Sequence, residues 1–144
     1  MKKFTILLFV VFNFVFAFDA QTTLKVYTKI LTSIFPQQNT IKVYIPNKEF
    51  AKVLNSSDII NVVDNINEAS IAIVTTIKEL QEVKAKKTDK IVFATKEGLL
   101  NEGASVIGAF YWKKGRSQLV FIKSRLKKYH IKLPNVYDKF IIEL

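Results

Sequence analysis

Two short apolar runs separated by a helix-length segment constrain the fold of this chain more than any other feature. Residues 70–74 and 90–94 are almost continuously apolar, which is typical of strands buried on both faces of a sheet. Between them, residues 77–86 place Leu80 and Val83 on one side of a predicted helix. A strand–helix–strand unit of this length predicts a parallel pair of strands, so we expect an α/β protein.

The segments before this unit extend the same pattern towards the amino terminus. Residues 22–35 carry apolar side chains at spacings of three and four, which predicts an amphipathic helix that ends at Pro36. Residues 40–45 alternate between apolar and polar types, which predicts a strand. A short helix over 48–54 and a second short strand over 59–63 are expected to complete a similar, shorter unit.

The carboxy-terminal part has a different pattern. Residues 104–112 predict a long strand and residues 118–122 its return strand, and Gly115 can adopt the positive φ that the hairpin turn needs. Pro134 suits the first turn of a closing helix. The inner face of that helix is expected to carry Val136, Phe140 and Ile141. Together these elements predict a three-layer, sandwich-like α/β domain with a mixed, mostly parallel sheet and a C-terminal β-hairpin plus helix.

The first residues have the layout of a secretory signal peptide. Two lysines precede an apolar stretch, and Val15 and Ala17 fit the −3 and −1 positions of a signal-peptidase site. The apolar stretch is shorter than the ~20 residues of a membrane span. We therefore predict a signal peptide over residues 1–17 and a single exported domain over residues 18–144. The alternative is an uncleaved segment that anchors the chain.

Charge and composition restrict the kinds of partner and site. The formal charge is +10, and it falls to +8 once Lys2 and Lys3 are removed. A basic exported protein is attracted to anionic lipid headgroups, which predicts peripheral membrane association, or to acidic partners. Nucleic acid is not an expected partner outside the cytoplasm, and no nucleic-acid motif is present. With no Cys and one His, the chain predicts no disulfide, no metal site and no cofactor.

The residues with acid–base potential predict no catalytic machinery. His130 follows a helix predicted over residues 124–129 and has cationic neighbours, with no carboxylate close in sequence to activate it. Two carboxylate pairs were considered, Glu79 with Glu82 and Asp64 with Glu68, but neither lies in a glycine-containing calcium loop. We therefore expect a protein that is not an enzyme.

The predicted hairpin combines aromatic and cationic side chains. Phe110 and Trp112 fall on one face of their strand and Tyr111 on the other. Trp, Tyr and Arg are favoured anchors at protein interfaces. The predicted partner-binding residues are therefore Tyr111, Trp112, Lys113, Lys114 and Arg116. The alternative interpretation is a pair of core aromatics beside a solvated turn.

The ends of the predicted parallel strands offer a second location for binding. Ligands of open parallel sheets bind beyond the carboxyl ends of the strands. The predicted ligand-binding residues at those ends are Asn47, Thr75, Thr76, Thr95 and Lys96. Threonine hydroxyls and one ammonium group favour a small anionic ligand. The alternative interpretation is ordinary hydrogen bonding within loops.

The order of these parts resembles that of the YfiR-like family of small periplasmic proteins. The resemblance depends on the opening helix, the two strand–helix steps and a late glycine-containing block over residues 103–108. It continues through Gly115-Arg116, the apolar strand over 119–122 and the segment over 130–133. Most of residues 22–142 are covered.

The resemblance implies a regulatory role. The family's best-known members resemble periplasmic brakes on inner-membrane diguanylate cyclases and act by binding the sensor's external domain, which requires no catalytic residue. We therefore expect an exported, non-enzymatic regulatory protein of the periplasm whose partner is a membrane-bound sensor. One alternative is a small-ligand binding module that resembles one lobe of a periplasmic solute-binding protein. Another is a structural envelope protein retained by an uncleaved amino terminus.

Overall fold

A computed structural model describes residues 20–144, so the predicted signal peptide over residues 1–17 lies outside the described residues. Within the described part, one sheet is formed by β1 (Ile41–Tyr44), β2 (Ile60–Val63), β3 (Ile71–Val74), β4 (Ile91–Ala94), β5 (Val106–Lys113), β6 (Arg116–Ile122) and β7 (Ile141–Ile142). The α-helices are α1 (residues 20–34), α2 (Lys48–Asn55), α3 (Ile77–Ala85) and α4 (Lys123–Lys128). Further 3₁₀ helices cover Ile66–Glu68, Glu97–Asn101 and Asn135–Phe140. Across residues 20–144, no helix is long and apolar enough to cross a membrane.

The sheet is mixed and mostly parallel, as the sequence predicted. Its strand order is β2-β1-β3-β4-β5-β6-β7. Neighbours from β2 to β5 are parallel, the β5–β6 hairpin is antiparallel, and β7 returns parallel to β6. The first five strands therefore have the 2-1-3-4-5 order of a doubly wound sheet, to which a hairpin and a short closing strand are added.

Helices cover both faces of the sheet, which gives three layers. The first face, which carries Ile73 and Phe93, packs against α1, α2 and the 3₁₀ helix Asn135–Phe140. The second face, which carries Val74 and Val92, packs against α3 and the 3₁₀ helix Glu97–Asn101. The interior strand β3 is buried along its whole length because apolar side chains meet helices on both sides. The predicted three-layer α/β architecture is confirmed.

Local side-chain chemistry explains where the helices after β1 and β3 begin. The side chain of Asn47 accepts a hydrogen bond from Phe50 N at 3.0 Å and caps α2. The hydroxyl of Thr76 accepts one from Glu79 N at 3.2 Å and caps α3. Both helices therefore start immediately after their strands, at the carboxyl edge of the sheet.

The closing segment differs from the predicted helix. Asn135–Phe140 is a 3₁₀ helix, and it leads directly into the two-residue strand β7, which the sequence analysis did not predict. Because a 3₁₀ helix has three residues per turn rather than 3.6, the inward positions shift. Tyr137 is buried, whereas Val136 is 68% exposed, so the placement of Val136 on the inner face was wrong. Phe140 is half-buried against the first-face core, as expected.

The core is formed around Tyr27 of α1, which is 1% exposed. Its ring makes edge-to-face contacts with Phe50, Phe93 and Phe110, at centroid distances of 5.1, 5.6 and 5.8 Å. The hydroxyl of Tyr27 is buried and has no hydrogen-bond partner among residues 20–144. Burial raises the pKa of this phenol far above its ordinary value, so Tyr27 is neutral in the folded protein.

Candidate functional site

The β5–β6 hairpin projects beyond the carboxyl edge of the sheet. The pairing of β5 with β4 ends at Ala94 and Ala109, so the last four residues of β5 are paired with β6 alone. At ~3.3 Å per residue, this overhang is about 13 Å long. The hairpin tip, defined here as residues 112–117, is exposed at every position. It is closed by Lys114 and Gly115, whose φ values of 52° and 76° match a type I′ turn.

The register of the hairpin separates its aromatic and basic side chains onto opposite faces. The ring of Trp112 contacts that of Phe110 at a centroid distance of 6.2 Å on the first face of the sheet. Tyr111 packs on the second face, and Lys113 and Arg116 follow on its side because side chains alternate along a strand. The indole of Trp112 is 51% exposed, so it is accessible to a partner.

The second side of the tip is a shallow basic cleft. It is lined by Lys113, Lys114, Arg116 and Gln118. The ammonium of Lys113 lies 3.3 Å from a carboxylate oxygen of Glu97, but both side chains are more than half exposed, so this pair adds little stability. Within the described chain, Lys114 and Arg116 form no salt bridge. Three cations and one carboxylate leave the tip with a local charge of about +2.

An apolar groove lies on the first face, on the same side of the hairpin as Trp112. It has a volume of about 210 Å³ and is lined by Val26, Lys29, Ile30, Leu119, Val136, Tyr137 and Phe140. Leu119 is the register partner of Phe110, which in turn contacts Trp112, so the groove and the exposed indole belong to one side of the molecule. Local sequence patterns do not predict this groove, because α1, β6 and the 3₁₀ helix are far apart in the chain.

The predicted ligand-binding residues are only partly brought together. The helix that follows β1, α2, packs on the first face, and the helix that follows β3, α3, packs on the second. The chain therefore crosses to opposite faces after these two neighbouring strands, and the topological switch point of the sheet lies between β1 and β3. At this point the side-chain amide of Asn47 donates a hydrogen bond to the hydroxyl oxygen of Thr75, at 3.2 Å. Asn47 and Thr75 therefore meet where doubly wound folds bind their ligands.

A carboxylate already occupies the hydrogen-bond donors at the switch point. The amide and hydroxyl of Thr75 donate to Glu79, at 2.8 and 2.9 Å. The hydroxyl of Thr76 caps α3 by accepting from Glu79 N. A bound anion would have to displace the carboxylate from Thr75. The spacing from Thr76 to Glu79 matches the capping-box pattern, but the Glu79 carboxylate accepts from Thr75 N rather than from Thr76 N.

Thr95 lies beside this cluster at the end of β4, whereas Lys96 makes no hydrogen bond to it. Thr95 N donates to Val74 O at 3.1 Å, which links the ends of β3 and β4. Lys96 is exposed, and its side chain makes no cap hydrogen bond to the 3₁₀ helix that it precedes. Among the described contacts, no hydrogen bond joins Lys96 to Asn47, Thr75 or Thr76.

His130 is a helix-terminal residue, as predicted. His130 comes two residues after the end of α4, with a φ of 57°. Its N–H donates to Lys127 O at 3.2 Å, and its ring is exposed. Nearby, the hydroxyl of Tyr129 donates to Asp89 at 3.2 Å, and burial together with this carboxylate raises the pKa of Tyr129.

Comparison with known proteins supports the fold alone. Neither a family model nor a curated protein matches the chain. A crystal structure of a conserved domain protein from Vibrio cholerae O1 biovar El Tor str. N16961 is similar, with a TM-score of 0.60 and 12% sequence identity. The match covers 83% of this chain and 59% of that chain. The two proteins therefore share an α/β fold, and this chain spans about three fifths of its neighbour's length.

Proposed function

We propose that this protein is an exported, non-enzymatic regulatory protein that binds the external domain of an inner-membrane signalling protein. In this proposal residues 1–17 are a cleaved signal peptide, and residues 18–144 act in the periplasm as a member of the YfiR-like family. The partner is a membrane-bound sensor of the diguanylate-cyclase type. The support from the sequence is the order of its elements and the layout of its first residues.

The observation that carries the proposal is the exposed Trp112 on a projecting hairpin. Large aromatic side chains supply much of the binding energy at interfaces when a partner removes them from water. Trp112 is about half exposed, although it is adjacent to the buried ring of Phe110. The apolar groove continues this side of the molecule, with Val136 also largely exposed. A partner that covers Trp112 and the groove would bury a continuous apolar surface.

The basic residues of the tip have a different role in this proposal. Charges at the rim of an interface change the rate of association more than its final strength. Lys114 and Arg116 would attract an acidic surface of the sensor and orient the hairpin before Trp112 makes contact. The association rate is therefore expected to fall as ionic strength rises.

The test is recovery of a partner from detergent-solubilised membranes on the immobilised exported protein. A basic protein of equal net charge controls for adsorption by the +8 charge. We expect specific recovery of one membrane sensor by the wild type and by Leu144→Ala, which removes another exposed apolar side chain. Trp112→Ala should lose the sensor with an unchanged Tm. Recovery of only those proteins that the charge-matched control binds, or unfolding of Trp112→Ala, would contradict the proposal.

A second candidate function is a small-ligand binding module at the switch point. The observation that favours it is the contact of Asn47 with Thr75 between β1 and β3. A ligand that binds only the folded state raises Tm by mass action. If the ligand is an anion, Glu79→Gln should increase that rise by removing the competing carboxylate. If no anion or amino acid in a panel changes the Tm of the wild type or of Glu79→Gln, this candidate is rejected.

A further inference from the structure

We infer that the hairpin tip is a docking surface for the anionic headgroups of a lipid bilayer. In this arrangement the tip meets the membrane end-on, with Trp112 at the interface and Lys113, Lys114 and Arg116 among the headgroups. The inference goes beyond the proposed function and does not require a sensor, because vesicles that contain no protein can test it. It shares with that proposal only the removal of residues 1–17.

The hairpin tip extends past the end of the neighbouring strand β4. A bilayer can be contacted only by groups that are exposed at the protein surface. The hairpin overhang is about 13 Å long, as derived above from the register of β4 and β5. All six residues of the tip are exposed. The tip therefore extends past the end of β4 and presents all of its side chains to a bilayer.

The chemistry of the tip also suits an anionic bilayer. Indole is amphipathic, and Trp is enriched at membrane–water interfaces for that reason. Lys and Arg close to an anionic bilayer are attracted by its surface potential. The local charge of the tip is positive even after Glu97 is counted against Lys113. The exposed Lys96, next to Glu97 in the chain, adds a further cation at the same edge of the sheet.

The opposite placement of the aromatic and basic side chains favours a bilayer over a protein surface or a free phosphate as the binding partner. Trp112 points to the first face of the hairpin, whereas Lys113 and Arg116 point to the second. A protein partner that covers the Trp112 face, as in the proposed function, would leave Lys113 and Arg116 in water. A bilayer met end-on surrounds the tip, so both sets contact it together. A free phosphate would need the cations alone and would leave Trp112 in water.

The turn also lowers the cost of docking. Lys114 and Gly115 both adopt positive φ in a two-residue turn, and the flanking residues Lys113 and Arg116 are paired in the hairpin register. The backbone of the tip is therefore already ordered before it binds. A preordered element loses less conformational entropy on binding than a disordered loop.

The experiment uses the fluorescence of Trp112, which is the single Trp in the chain. The exported protein, with its N-terminus established by mass, is titrated with phosphatidylcholine vesicles with and without phosphatidylglycerol. We expect a blue shift of the emission with phosphatidylglycerol only, and a shift that decreases as salt is added. No shift with either vesicle would overturn the inference. So would an equal shift on addition of inorganic phosphate, or a shift caused only by a purified sensor domain.

Two double variants test whether the tip itself carries the binding. The double variant Lys114→Gln with Arg116→Gln removes two charges from the tip. Each charge near an anionic bilayer contributes about 1 kcal/mol, so the partition of this variant into vesicles should weaken by ~30-fold. Lys127→Gln with Lys128→Gln removes the same charge from α4, at the opposite edge of the sheet, and both residues are exposed. Vesicle binding by this control variant should weaken by less than about threefold, since only the net charge of the protein changes. Equal losses in the two variants would overturn the inference.

These outcomes are separable from those of the proposed function. Vesicles contain no sensor, so failure of the tip to bind them leaves partner recovery in detergent unaffected. Conversely, loss of sensor recovery in detergent says nothing about partition into vesicles. An unchanged Tm is expected for both double variants because all four side chains lie on the surface.

Discussion

Replacement of Tyr27 by Phe tests the energetics of the core at one atom. The Tyr27 ring is enclosed by three Phe rings, and all of these contacts are edge-to-face. Its hydroxyl is buried without a partner among residues 20–144. The substitution keeps the ring in place and removes only the group that burial penalises. Tyr27→Phe should therefore stabilise the protein, although most core substitutions destabilise.

The size of the gain follows from two opposing terms. An unpaired hydroxyl inside a protein costs ~1–3 kcal/mol of desolvation free energy. Removal of the oxygen also loses a few dispersion contacts of ~0.1–0.2 kcal/mol each, which is less than the desolvation cost. The free energy of unfolding should rise by about 1 kcal/mol. For a domain of this size, Tm should rise by about 4 °C.

The assay is urea unfolding followed by far-ultraviolet circular dichroism, with Tyr137→Phe as the matched control. Tyr137 is also buried, but its hydroxyl is hydrogen-bonded to Ser33 at 2.9 Å, so the same substitution should cost about 1 kcal/mol. The denaturant slope should be the same for all three proteins. A loss of stability in Tyr27→Phe as large as that in Tyr137→Phe would show that the Tyr27 hydroxyl is paired, for example to a buried water.

Three further predictions concern the pH dependence, the sheet and α4. Burial raises the pKa of Tyr27, so above pH ~10 only the unfolded chain loses this proton, and stability should fall by about 1.4 kcal/mol per pH unit. Tyr27→Phe should remove that part of the alkaline slope in urea titrations. Gly108→Ala places a methyl group 2.5 Å from a main-chain oxygen of β6 and should lower stability by about 2–3 kcal/mol, whereas Gly98→Ala, with nothing within 4 Å, should change it little. Equal Tm values for these two variants would contradict the hairpin register. Arg125 donates to two main-chain carbonyls, at 2.6 and 2.8 Å, so Arg125→Met should cost about 2 kcal/mol of unfolding free energy, and Lys127→Met should cost almost none.

Much of the fold was predictable because its main signals are local. The buried runs at β3 and β4 and the helix between them determine a parallel unit without reference to the rest of the chain. Gly115 and the alternation on either side of it likewise determine a hairpin. The closing segment was harder, because a two-residue strand has no periodicity and a 3₁₀ turn has a different period. Val136 was misplaced for this reason.

The candidate sites were less predictable because they depend on contacts between distant segments. The apolar groove joins Val26, Leu119 and Val136, which are separated by most of the chain. Patterns among neighbouring residues cannot predict a contact between segments that are so far apart in the sequence. In contrast, the spacing from Thr76 to Glu79 is a local signal that places the Glu79 carboxylate at the start of α3, although it accepts from Thr75 N rather than from the N–H of Thr76 as in a capping box. This pattern indicates that the polar residues after β3 are already hydrogen-bonded at the start of α3.

The two candidate binding regions share one edge of the sheet, and one shortened hairpin can separate them. Tyr111 and Gln118 are register partners, so an Asn-Gly type I′ turn can connect them directly in place of residues 112–117. This variant lacks Trp112 and every cation of the tip, but β1 and β3 keep the switch point unchanged. It should lose both sensor recovery and vesicle binding while retaining any ligand-dependent rise in Tm. If the shortened protein still recovers the sensor, the partner contacts the groove or α1 rather than the hairpin. If it still partitions into anionic vesicles, the overall positive charge rather than the tip accounts for membrane binding.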